Sequence, residues 1–174
     1  MSSENKTKRV ALLGILGAQA LAVSFLEGLL PALPGLPPGA KPGFSNIVTM
    51  FTAYSMGFWQ AILITLIKAA FAGLTRGPSA FLMSLSGGLL STVVMYLLIR
   101  QKRQRFGLVG ISVASAVAHN MGQLLAAMVL TGTGAIIGYL PLLTVFALGT
   151  GIITGVILKA VIPVLIRQSR FFGR

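Results

Sequence analysis

Few side chains in this sequence could do chemistry, and most of those that could lie inside apolar runs. Glu27, Lys68, His119, Asn120 and Gln123 are the clearest cases. Within Ser112–Ala127, SVASAVAHNMGQLLAA, a helix turning about 100° per residue stacks His119 and Gln123 on one face, above Ser112, Ser115 and Ala116. Polar groups at that depth are costly in lipid, so they are expected to face a protein interior or a wet cavity. Measured from a basic N-terminus, Glu27 lies about 25 Å up the first helix and Lys68 about 14 Å along the third. Asn46 opens the second helix, whose N-terminal dipole favours an anion, and Lys41 and Arg76 sit at the outer mouth.

These groups suggest binding rather than catalysis. The candidate substrate-binding set is Glu27, Lys41, Asn46, Lys68, Arg76, Ser84, His119, Asn120 and Gln123, converging on a cavity open to the outside. Lys41, Lys68 and Arg76 make that cavity attractive to a ligand with an anionic part. Plainer roles stand beside these. Lys68 and Glu27 can form an internal ion pair. His119, Asn120 and Gln123 can bond between helices, and Ser84 and Ser86 can bond to their own helix. Holding a diphosphate through magnesium needs clustered carboxylates, and only Glu4 and Glu27 exist in the chain. There is no phosphate loop and no Ser-His-Asp set, and one histidine alone makes no metal site. No catalytic residue, metal or cofactor is therefore expected. Proton-coupled transport through Glu27 and His119 remains open.

The elements that position these residues follow from composition. The chain has 174 residues, 55% hydrophobic and 9% charged, with a mean hydropathy of +0.90. A soluble domain carries about 25% charged residues. The class is therefore all-α integral membrane: one domain over 1–174, a bundle of six transmembrane helices. The net charge of +12 does not indicate nucleic acid, because the basic residues cluster at the ends of apolar runs. The lipid bilayer is the expected partner. The absence of cysteine excludes disulfides and thiolate chemistry.

The spacing predicts helices over about 10–30, 44–56, 59–74, 79–99, 108–130 and 142–166. Residues 31–43, PALPGLPPGAKPG, hold five of the eight prolines and form an external connector or lid. The second helix is short for a span, so part of that loop is expected to dip into the membrane. Ser45 or Asn46 can cap it. Residues 100–106 form a basic cytoplasmic loop, and 1–9 and 167–174 are basic cytoplasmic ends. Ten basic residues fall on the expected inner side (Lys6, Lys8, Arg9, Arg100, Lys102, Arg103, Arg105, Arg167, Arg170, Arg174), against Lys41 and Arg76 outside. Both termini are thus expected in the cytoplasm, in a multi-pass protein of a prokaryotic plasma membrane. On the first helix Gly14, Ala18 and Ala22 form a small-residue stripe suited to close approach of another helix, while Ala20, Ser24 and Glu27 point the other way.

Several segments carry a resemblance over most of the chain: LEGLLP at 26–31, KPGFSNIVT at 41–49, SLSGGLLS at 84–91, VASAVAHNMGQ at 113–123 and GYLP at 138–141. They resemble the Gx transporter family, often labelled heptaprenyl diphosphate synthase component I. That family is similar to the substrate-binding S components of energy-coupling factor transporters. The resemblance implies six helices, a small micronutrient or isoprenoid-related ligand taken from outside, and partners in a transmembrane coupling protein and ABC-type ATPases. It also implies that Gly14, Ala18 and Ala22 contact the coupling protein and that 31–43 gates the site. The aspartate-rich motifs of prenyl synthases are absent. The alternative is a non-catalytic membrane subunit or anchor for isoprenoid, quinone or flavin redox machinery.

Overall fold

The computed structural model describes residues 3–29, 43–101 and 107–171, with side chains for 6–29, 43–101 and 107–163. The described residues form six α-helices: α1 Ser3–Leu29, α2 Asn46–Ser55, α3 Phe58–Arg76, α4 Pro78–Arg100, α5 Leu108–Thr131 and α6 Leu140–Phe171. Five of them are long and apolar enough to cross a membrane, the sixth helical segment, α2, being only 10 residues. Most of the proline-rich stretch (30–42), Lys102–Arg105 of the basic loop and the last three residues lie outside the described residues, as does Lys41.

Apolar run length and local breakers set these boundaries. Gly57 and Gly77, both at positive φ, turn the chain between α2 and α3 and between α3 and α4. Pro78 then opens α4, where its missing N–H costs nothing. The uncharged stretch 131–141 is not a plain turn. Gly134–Tyr139 winds as a 3-10 helix and leads directly into α6, which begins at Leu140. Ser84, Ser86, Gly87 and Gly88 do not break α4, which is continuous. The expected side-chain cap on α2 is also absent: Ser45 occupies the cap position without a capping bond.

Helices α4, α5 and α6 pack closely because glycines let their backbones approach. A Cβ on Gly122 of α5 would stand 2.6 Å from the Ser86 carbonyl and 2.7 Å from Gly87 Cα. On α6, a Cβ at Gly151 would meet Val113 Cα at 2.6 Å. Small residues serve this purpose in lipid, where no hydrophobic force drives helices together. Hydroxyls add bonds across the same seams: Ser86 Oγ donates to the Gly122 carbonyl at 2.7 Å, and Ser112 and Thr154 pair at 2.6 Å. Thr65 and Thr92 join α3 to α4 at 2.9 Å. By contrast α1 packs on α2 and α3 through Leu16, Ala20, Val48 and Ile64. Phe58 stacks on Tyr96 at 4.8 Å at the end where α3 begins, and Trp59 projects outward, 77% exposed, as suits an interfacial anchor.

Gly122→Ala should therefore destabilise the protein by about 2 kcal/mol through overpacking. Gly149→Ala, on the exposed side of α6 with open space around its Cα, should be neutral or slightly stabilising. Thermal unfolding of the two variants in one detergent checks the contrast.

Candidate functional site

The functional side chains meet near the end of the bundle where α1 and α3 finish and α2 and α4 begin. From α1, the face carrying Ala20, Ser24 and Glu27 turns inward, and the last two are only 5% and 6% exposed. Gly14, Ala18 and Ala22 lie on the exposed side of the same helix. Ser24 and Glu27 reach a cavity whose further walls are Gly43 and Ser45 before α2, then Thr65, Lys68 and Arg76 of α3. Helix α4 adds Ala80, Met83, Ser84 and Gly88, and α5 adds His119 and Gln123. The free volume is about 20 Å³, room for roughly one water.

Lys68 is the central cation. It lies ten residues into α3, about 15 Å along its axis. It is 5% exposed. Its Nζ donates to Asn46 Oδ1 at 2.9 Å and Thr49 Oγ1 at 3.4 Å. Both acceptors come from the first turn of α2, so the short helix brings oxygen to a charge that hydrocarbon could not solvate. Asn46 Nδ2 is buried without a hydrogen-bond partner among the described residues.

Glu27 does something that periodicity could not show. One carboxylate oxygen accepts the N–H of Phe44 and the other accepts the N–H of Ser45 at 3.2 Å. The only acid inside the bundle thus holds the turn that leads into α2, while the first two N–H groups of α2 bond to the Gly43 and Phe44 carbonyls. The helix dipole favours an anion at this end. The Arg76 guanidinium, at the end of α3, interacts electrostatically with the same carboxylate.

His119 and Gln123 are one turn apart on α5, with Gln123 Nε2 2.5 Å from His119 Nε2. The Nδ1 edge of the ring faces Gly87 of α4. The other edge faces the start of α2: a Cβ on Gly43, which holds φ +86°, would stand 3.1 Å from His119 Cδ2. Lys68 acts on His119 through its charge. Asn120 leaves this group. Its Nδ2 donates to the Leu143 carbonyl at 2.8 Å, fastening α5 to α6.

Of the residues expected from the sequence, Glu27, Lys68, Arg76, Ser84, His119 and Gln123 line the cavity, and Asn46 joins it through Lys68. Sequence reasoning missed Thr49, Thr65, Ser45 and Gly43. Thr65 was accessible, since it precedes Lys68 by three residues on the same helical face. Gly43 gave no signal, because its part follows from the backbone path. A second, larger groove of about 310 Å³ lies between α1, α2 and α6. It is apolar apart from Gln19, so it offers volume without groups to fix a ligand.

Residues 16–161 match the heptaprenyl diphosphate synthase component I family. The chain belongs to that family. No curated protein matches its sequence. The chain also resembles the structure described as "Structure and mechanism of the S component of a bacterial ECF transporter". The TM-score is 0.59 at 19% identity, covering 97% of this chain and 99% of the other. At that identity the likeness is one of fold. The polar cavity is therefore set in an S-component-like helical bundle.

Glu27→Ala removes the acceptor of two N–H groups. It should cost about 2–3 kcal/mol, in the range for charge-assisted hydrogen bonds. Hydrogen exchange should quicken first at the Phe44 and Ser45 amides.

Proposed function

We propose that this chain is the substrate-binding membrane component of an energy-coupling-factor-like importer, and that it takes a small molecule with an anionic group from outside the cell. The observation that carries this reading is the polar cavity where Lys68, Arg76, Glu27, His119 and Gln123 from α1, α3 and α5 converge inside an apolar bundle. Ionisable groups at that depth cost about 2.5–3.5 kcal/mol each on insertion scales, so a binding role is their first explanation. Two cations against one acid favour an anion. The hydroxyls of Ser24, Ser45, Thr65 and Ser84 favour a polar ligand over a long hydrocarbon. In this reading Lys68 supplies charge, and His119 and Gln123 orient the ligand. The ten-to-two distribution of basic residues supports cytoplasmic termini and six spans, with the cavity in the outer half. The S-component-like fold supports work with a transmembrane coupling protein and ABC-type ATPases.

The double variant Lys68→Ala, His119→Ala should remain folded and lose at least about tenfold in affinity for the compound that accompanies the wild-type protein, since each lost polar contact is worth about 1.4 kcal/mol or more. Retention of full uptake would place the site elsewhere.

The coupling partner is proposed to dock on the exposed Gly14, Ala18 and Ala22 side of α1, where small side chains allow close backbone approach. Ala18→Leu, Ala22→Leu should abolish co-purification of the coupling protein while leaving ligand binding intact. Undiminished co-purification would contradict this placement.

A further inference from the structure

The cavity already holds an anion, supplied by the chain itself. Glu27 sits as a bound carboxylate would, one oxygen on the Phe44 N–H and the other on the Ser45 N–H. Around it stand Arg76, which interacts with it electrostatically, and Lys68, buried on Asn46 Oδ1. Asn46 Nδ2, at the same helix start, is a buried donor with no partner among the described residues. With about 20 Å³ of free volume, an organic anion cannot enter unless a group moves aside. Entry beside Glu27 would set two like charges together in a dry site. Exchange with Glu27 avoids that and keeps both N–H groups bonded.

Resting on the reading of this cavity as the substrate site, we propose that the ligand carries a carboxylate which replaces Glu27 on the Phe44 and Ser45 N–H groups. Glu27 is then a resident competitor, not a ligand contact. Two neighbouring N–H groups match the two oxygens of a planar carboxylate. Charge points the same way. With Glu27 displaced, Lys68 and Arg76 remain as counter-charges for the incoming carboxylate. Ligand arrival also frees the α1 carboxylate from α2, so binding is coupled to the contact between these helices.

The test uses the purified full chain in detergent, with acetate, inorganic phosphate and acetamide as probes at constant ionic strength. Thermal unfolding is followed for the wild type and for Glu27→Gln, whose amide keeps the shape and lacks the charge. Glu27→Gln should reach half-maximal stabilisation at an acetate concentration about tenfold below that of the wild type, equivalent to about 1.4 kcal/mol. Phosphate and acetamide should not substitute. Equal acetate responses in the two proteins, or a phosphate response matching acetate, would overturn the proposal. Should the variant not fold, infrared spectroscopy decides. Glu4 and Glu27 are the only acidic side chains in the chain. In a Glu4→Gln protein labelled with 13C-glutamate, the carboxylate band therefore reports Glu27 alone. Acetate should shift that band, and a band unmoved at saturation would overturn the exchange. Loss of cargo binding in the Lys68, His119 double variant together with an unmoved band would sink the exchange alone. A moving band with cargo uptake intact in that variant would uphold the exchange and place the transported ligand's site elsewhere.

Discussion

A lysine ammonium in the middle of a helix bundle must find oxygen, and this bundle has almost no acids to offer. That constraint on Lys68 shapes the structure around it. Asn46 and Thr49 supply the acceptors, which fixes the start of α2 against the middle of α3. The turn that leads into α2 leaves the Phe44 and Ser45 N–H groups needing an acceptor in turn, and Glu27 reaches across from α1 to provide it. One buried cation thereby organises three helices at one end of the bundle. Polar satisfaction at this end adds to the apolar packing of Leu16, Ala20, Val48 and Ile64 between the same three helices.

Those three helices form the firm part of the molecule. Backbone contact at Gly122 and Gly151, with serine and threonine bonds across the seams, leaves little freedom for sliding. The cavity lies between this block with α3 on one side and α1 with the start of α2 on the other. A binding site at such a seam can change shape by moving the lighter side. The clasp between Glu27 and α2 is the contact most directly touched by any anion that enters.

Much of the fold could be read from the sequence, because apolar runs and their breakers carry the information. Gly57, the Gly77–Pro78 pair and the basic residues from Arg100 onward mark helix ends within a few residues of those observed. The site was legible where a charge or amide interrupts an apolar run, as at Glu27, Lys68, His119 and Gln123. It was not legible where the answer depends on which neighbour faces a given sector. Asn120 adjoins His119 in sequence, yet 100° of rotation turns it to Leu143 on α6. Glu27 reads as a ligand group, and no periodicity reports that its partners are backbone N–H groups 17 and 18 residues away. The 3-10 turn over Gly134–Tyr139 was hidden because its residues read equally well as a loop.

The most direct test of the central claim, a substrate-binding membrane component with an anion-accepting cavity, is purification of the tagged protein from its native membrane in mild detergent. Mass spectrometry of the co-eluting proteins and small molecules would follow. The account predicts a stoichiometric small compound with an anionic group, together with a transmembrane coupling protein and ATPases. Recovery of quinone, flavin or prenyl-synthase machinery with no bound compound would contradict it and favour an assembly subunit.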